Sequence, residues 1–280
     1  MKILVLGSGG FGYPLVFCEC ENCNKARTLG GKNIRKRASI LINDEMIVDL
    51  TGDTSSAMTM YNKNMGNVKY LLQTHTHLDH FDINHFTSLD YKYATKRNSD
   101  LNLICSSLAL KDINEKANQY DKMNLLDRLY LNKIKLKTYE LNHGETLNIN
   151  NYTIKAIHCS HHEAIGAQIY LIKHQGKCLL YATDTPMITN IALNELKGET
   201  IDCVILDETF GNNDYSFGHL NLEGFVEYVE KLKTNNLLKE NCEVYATHII
   251  HDGNPCHDEL EEILNKYGYH ASYDGMEINL

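Results

Sequence analysis

The sequence predicts a layered α/β sandwich, and three observations carry that expectation. Short apolar runs bounded by Gly, Asn or Asp recur in both halves of the 280 residues, as strands do. Helical periodicity follows groups of strands instead of alternating strictly with them, which favours stacked layers over a doubly wound sheet. No internal repeat and no Pro/Ser-rich linker interrupts the chain, so a single domain is expected over residues 1–280.

In chain order, strands are expected at Ile3–Leu6, Ser39–Ile42, Met46–Leu50, Lys69–Leu72 and Leu103–Cys105. The second half adds Tyr152–Ile157, Gln168–Ile172, Cys178–Tyr181, Cys203–Leu206 and Glu243–Ala246. A helix is expected at Ser107–Tyr120, and Lys111 to Lys137 is polar, rich in lysine and asparagine, and reads as an insertion or lid. Helical spacing is clearest in Asn221–Lys233, where Leu222, Phe225, Val226, Val229 and Leu232 recur at three- and four-residue steps, and again in Asp258–Tyr267.

Composition narrows the function. With 27 Lys+Arg against 36 Asp+Glu the formal charge is −9, the wrong sign for a nucleic-acid scaffold. At 43% hydrophobic and 22% charged, with 3 prolines, the chain is neither disordered nor collagen-like. Its length buries roughly three quarters of the surface that the unfolded chain exposes, so folding requires neither disulfide nor metal. Any metal site therefore needs its own explanation. The apolar stretch before Gly7 is shorter than the roughly 7–15 residues of a signal-peptide core, and no run approaches the roughly 18 that span a bilayer. Cytoplasmic location and no membrane partner are expected, with the 9 cysteines as thiols or metal ligands.

The sharpest signal is Thr74-His75-Thr76-His77-Leu78-Asp79-His80, directly after the apolar run Lys69–Leu72. Imidazoles and a carboxylate crowded at a strand end point to a metal; the bland alternative is a solvated polar loop. The interleaved pairs, His75 with His77 and Asp79 with His80, suit two ions about 3.5–4 Å apart, a hydrolase centre. More ligands are expected at other strand ends: one of His158, His161 and His162, then Asp184, able to bridge two ions, then His248. Strand C-terminal ends converge on one rim in α/β folds, which is why these residues count together.

Cys18-Glu19-Cys20-Glu21-Asn22-Cys23 is a second pattern, fit to wrap one tetrahedral zinc with a fourth ligand from elsewhere, for which His251 is attractive. The neighbouring Glu19 and Glu21 are expected to raise these thiol pKa values, against a redox role. Gly7-Ser8-Gly9-Gly10-Phe11-Gly12 matches a dinucleotide fingerprint, but Tyr13-Pro14 and the cysteines stand where its helix should begin. The glycines read as a tight turn near the active site. His219 reads by default as a surface histidine. His85, His143, His174, His257 and His270 read as structural or solvent-facing, and Cys105, Cys159, Cys178, Cys203 and Cys242 as small core residues.

The histidine motif resembles the metallo-β-lactamase superfamily of two-metal hydrolases, which implies a four-layer αββα sandwich. Asp49 matches the acid that supports the family's ligands. The cysteine cluster, Thr247-His248-Ile249-Ile250-His251 and the ending Asp274-Gly275-Met276-Glu277-Ile278 resemble the carbon–phosphorus lyase pathway phosphodiesterases, which open phosphoribosyl 1,2-cyclic phosphate. Pyrroloquinoline quinone biosynthesis proteins share the cysteine cluster, but the intact histidine motif favours the phosphodiesterases. The resemblance covers residues 3–90 and 150–278, leaving an inserted segment around 93–138 that would shape the pocket.

The resemblance implies that His75, His77 and His161 hold one ion, with His161 preferred over His162 by counting back from Tyr170. Asp79, His80 and His248 would hold the other, and Asp184 would bridge. It also implies a structural zinc on Cys18, Cys20, Cys23 and His251, and makes Asp79 and His219 the catalytic pair. The catalytic ions would be Zn, Mn or Fe. The expected activity is hydrolysis of a small cyclic phosphate by a metal-activated water, with a small phosphorylated partner; the sequence is compatible with a homodimer without fixing the oligomeric state. The alternatives are a tRNA 3′-processing nuclease, whose phosphates Lys32-Asn33-Ile34-Arg35-Lys36-Arg37 would contact, and a non-enzymatic binding protein on the same scaffold.

Overall fold

A computed structural model describes residues 1–90, 93, 96 and 99–280. The first half runs β1 (Lys2–Gly7), α1 (Glu21–Leu29), β2 (Ser39–Ile42), β3 (Met46–Val48), α2 (Thr54–Met60), β4 (Tyr70–Leu72), α3 (Asn84–Thr87), β5 (Leu101–Cys105), α4 (Ser107–Asp121), α5 (Arg128–Ile134) and β6 (Leu136–Glu140). The second runs β7 (Thr146–Ile149), β8 (Tyr152–His158), β9 (Gln168–His174), β10 (Lys177–Ala182), α6 (Asn190–Leu196), β11 (Ile201–Asp207), α7 (Leu222–Thr234), β12 (Leu238–Thr247), α8 (His257–Asn265), β13 (His270–Ala271) and β14 (Glu277–Asn279).

Among the described residues these strands form two seven-stranded sheets, ordered β14-β1-β2-β3-β4-β5-β6 and β13-β12-β11-β10-β9-β8-β7. Each is antiparallel at one end and parallel at the other: β1–β3 pair antiparallel and β3–β6 parallel, β7–β10 antiparallel and β10–β13 parallel. Strand β14 returns to pair with β1, so the two ends of the chain close one sheet.

Period-two alternation sorts the apolar residues into three clusters, and these define four layers. Ile3, Val48, Leu72, Tyr170, Tyr181 and Ile205 point between the sheets. Leu4, Ile47 and Leu71 point the other way and pack with Ala57, Leu110 and Ile134 of α2, α4 and α5. Leu171, Leu180 and Val204 pack with Leu196, Phe225, Val229 and Leu260 of α6, α7 and α8. Central strands are apolar on both faces because both faces are covered. The result is an αββα sandwich.

The strands missing from the sequence reading are those without apolar runs. In β6 only Leu136 is buried and in β7 no residue is, as suits sheet edges, and alternation over so few residues is a weak signal. Helix α1 was obscured because its N-cap is Cys20, whose thiol accepts from the Cys23 N–H. Strand β3 stops at Val48 instead of Leu50, because Asp49 turns left-handed at φ 65°. Part of the expected insertion 93–138 lies outside the described residues; its described part supplies β5 and β6 to the first sheet, with α4 and α5 on the outer face. No helix among the described residues is long and apolar enough to cross a membrane.

Candidate metal centre

One rim of the sandwich collects the ends of β3, β4, β8, β10, β11 and β12, and each delivers polar side chains. Two ligand groups result from the predicted residues, His75, His77, His161 and Asp184, and Asp79, His80, Asp184 and His248, and a third overlaps them, Asp184, Asp207, His219 and His248; within each, the ligand atoms lie within 4.8 Å of one another. Asp184 belongs to all three. Its Oδ1 is 2.9 Å from His248 Nε2 and 3.0 Å from His80 Nε2. Its Oδ2 is 3.4 Å from the Nε2 atoms of both His75 and His161. His77 turns its Nδ1 inward, 2.9 Å from His75 Nε2 and 3.2 Å from His161 Nε2. His75, Asp79, His80, Asp184 and His248 are buried.

The outward nitrogen of each histidine is engaged, which fixes the ring and the tautomer that a metal ligand needs. His80 Nδ1 is 2.8 Å from Asp49 Oδ2, His75 Nδ1 3.0 Å from Thr74 Oγ1, and His248 Nδ1 2.9 Å from Thr209 Oγ1. His161 Nδ1 donates to the Gly218 carbonyl at 2.7 Å, and His77 Nε2 meets His162 Nδ1 at 2.8 Å. His162 thus stands behind His77, outside all three groups. Asp49 is itself fully buried and accepts from the Thr74 N–H, the Thr74 hydroxyl and the Gln73 amide at 2.8–2.9 Å.

The electrostatics of these groups fit cations. Burial pushes His75 down to about 3, so it is a neutral donor. Burial is the largest influence on His248 and His80 and opposes their charge, yet the surrounding carboxylates together overcome it, Asp184 foremost with Asp79 and Asp207 at His248 and Asp49 and Asp79 at His80, raising His248 to about 10 and His80 well above the imidazole range. Conversely, burial opposes the Asp184 carboxylate but His248 and His80 hold it well below its usual range. Among the described residues no lysine or arginine pairs with Asp79 or Asp184, so buried carboxylates depend on imidazoles for compensation that divalent ions would supply. Imidazole and carboxylate donors suit Zn, Mn or Fe.

His219 stands beside this centre and not on the open surface. Its ring stacks on His248 at 5.1 Å, and its Nδ1 is 2.8 Å from Asp207 Oδ2. Burial opposes its charge, but Asp207 wins and raises its pKa. Asp207 was missed in the sequence, as was Thr209, which bonds both Asp207 Oδ1 at 2.9 Å and His248. The signal existed: Asp207 ends an apolar run, the same position that singled out Asp184.

The cysteine group lies on the far side of the glycine turn. Cys18, Cys20, Cys23 and His251 bring their ligand atoms within 4.8 Å of one another, with His251 Nδ1 3.4 Å from Cys20 Sγ and 3.7 Å from Cys18 Sγ. One thiol departs from expectation. Burial alone would raise Cys20, yet the Cys23 N–H and the other donors around the sulfur lower it to about 7, because it caps α1 and receives N–H groups there. Cys23 follows expectation in direction, pushed up to about 12, though by burial.

The glycine turn binds no dinucleotide helix: α1 begins only at Glu21, and the backbone of the turn is packed against neighbouring chain. A Cβ on Gly7 would lie 2.0 Å from the Arg37 carbonyl, and one on Gly10 would lie 3.0 Å from His248 Cε1. In the basic segment 32–37 both arginines are engaged within the chain, while Lys32 is exposed. Arg35 is buried, bonding Ser8 Oγ at 2.9 Å, the Ser272 carbonyl and His257 Nδ1 at 3.2 Å, while Arg37 pairs with Asp53 at 2.9 Å.

A family profile described as "Beta-lactamase superfamily domain" matches residues 49–249. Among solved structures, a diphosphatase of the PhnP family superposes with TM-score 0.74 at 20% identity, covering 100% of this chain and 97% of that one. Zn²⁺-bound PqqB from Methylobacterium extorquens gives 0.70 at 15% identity, covering 100% of both chains. The short form of human tRNase Z gives 0.64 at 13% identity, covering 100% and 99%. No curated protein matches by sequence.

Proposed function

The chain belongs to the metallo-β-lactamase superfamily, and from that premise we propose that it is a metal-dependent phosphodiesterase acting on a small cyclic phosphate such as phosphoribosyl 1,2-cyclic phosphate. The observation that carries the reading is Asp184, whose two oxygens are divided between two histidine sets. Divalent ions held by those sets would polarise phosphoryl oxygens and bring a water's pKa toward neutrality, the chemistry of two-metal hydrolysis.

The chain's own groups supply the rest. Asp207, bonded to Nδ1, favours the protonated form of His219 against the opposing burial, and a protonated ring here would neutralise a phosphoryl oxygen or give its proton to the departing sugar oxygen. Asp79, beside His80 and His248, would help hold a second ion by adding negative charge to that group. Asp49 holds His80 in orientation from behind. The similar diphosphatase supports a reaction at phosphorus. Against an RNA substrate stand the net charge of −9 and the buried or paired arginines of the 32–37 segment. The unpaired cysteines support a cytoplasmic location, where a reducing environment keeps thiols free.

Elemental analysis and a cyclic-phosphate assay on the same preparation test the proposal. About three ions per chain, one of them zinc, with turnover insensitive to salt, are expected. A single zinc that added Mn²⁺ or Zn²⁺ fails to supplement, with no turnover, would overturn it in favour of a binding protein.

A further inference from the structure

A file of rings leads from the candidate centre to the surface. His248 stacks on His219, Phe210 meets His219 edge-on at 5.8 Å, Tyr215 meets Phe210 edge-on at 5.3 Å, and Phe217 stacks on Tyr215 at 5.3 Å and 29°. All but His248 come from the loop between β11 and α7. The last ring, Phe217, is 75% exposed. It is nonetheless held: Gly218 beside it accepts from His161 Nδ1 at 2.7 Å, and the Tyr215 hydroxyl beneath it donates to Asp252 at 2.5 Å.

A phenyl ring fixed in water beside a polar site is an unpaid hydrophobic surface, and its flat face offers stacking to any planar ring. The loop 208–221 contains no lysine or arginine to pair with a further phosphate. Only two ring steps, 6.3 Å and 5.8 Å, separate Phe217 from His219. Resting on the phosphodiesterase reading above but departing from its base-free example, we propose that Phe217 is a stacking platform and that the substrate, among small cyclic phosphates, is one that carries a heteroaromatic base. Its phosphate lies at the ligand groups of Asp184 while its heteroaromatic base covers Phe217.

The test uses the protein with its metals and two phosphomonoester products that differ only at the anomeric carbon, adenosine 3′-monophosphate and methyl ribofuranoside 3-phosphate. Calorimetric binding should favour the nucleotide by about tenfold or more in the wild type. That preference should collapse in Phe217→Ala and return in Phe217→Tyr. Equal binding of the two ligands by the wild type, or an undiminished preference in Phe217→Ala, would overturn the platform. Turnover is read separately, with adenosine 2′,3′-cyclic phosphate against methyl ribofuranoside 2,3-cyclic phosphate. If neither is hydrolysed while the Phe217-dependent binding preference persists, the phosphodiesterase reading fails and the platform stands.

Discussion

Asp49, Asp184 and His248 all hold left-handed backbone, with φ of 65°, 49° and 62°. Such conformations cost non-glycine residues on the order of 1 kcal/mol and persist where surrounding bonds over-determine them. At Asp184 the Cys159 thiol donates to the backbone carbonyl at 3.2 Å; at His248 the next residue's N–H donates to the Ser8 carbonyl at 3.0 Å. Removing the shared carboxylate, Asp184→Ala, should therefore leave the fold intact by circular dichroism and strip the histidine groups of metal, leaving only the zinc of the cysteine group. Full retention by elemental analysis would remove Asp184 from the bridging position. Asp49→Asn deprives His80 of its anionic partner and should weaken metal affinity by about 10–100-fold in a chelator competition. His219→Ala should keep the metals but lose about 10²–10⁴ in turnover of a phosphodiester; unchanged turnover would leave His219 without a chemical role.

Secondary elements decide how these residues meet. Parallel β10, β11 and β12 end on the same rim, which is why Asp184, Asp207 and His248 converge though no local pattern links them. The glycine turn presses on His248 so closely that Gly10→Val should displace its imidazole and reduce metal at the Asp79–His80–His248 group while sparing the cysteine group. Cys20 caps helix α1, and a serine there would keep an N-cap oxygen for the Cys23 N–H while removing a soft ligand. Cys20→Ser should accordingly lose one zinc per chain with little change in helix content, read by elemental analysis and circular dichroism.

Across the whole molecule, Arg35, His257, Ser8, Ser272 and Asp274 tie the N-terminal turn to the C-terminal end in one buried polar cluster. Burial first, then the Arg35 guanidinium, hold His257 down to about 4, so it is neutral in the folded chain. A histidine depressed by folding contributes stability in full above its unfolded pKa of about 6.5, and that stability is lost as pH falls toward 4. The Tm of the wild type should fall between those pH values more steeply than that of His257→Gln; parallel curves would show that His257 does not titrate with unfolding. Chelation should lower Tm by several degrees at neutral pH, because ligands that bind only the native state stabilise it by mass action.

The sequence by itself determined the layered α/β class, most of the strands that carry the rim, and the two dense motifs, His75–His80 and Cys18–Cys23. These are legible because their residues are neighbours in the chain and their chemistry has few other uses. Partners far apart were the business of the tertiary structure. His80 meets His248 across 168 residues and His77 meets His161 across 84, and only the sheets fix those distances. The same holds for Asp207, an ordinary strand-terminal acid until the β11–α7 loop brings His219 onto it, and for Arg35, whose charge in sequence suggested a surface and whose burial reserves it for the core. Periodicity reports which face of an element is apolar, but which polar side chains share a site is set by packing between elements, and that information is not local.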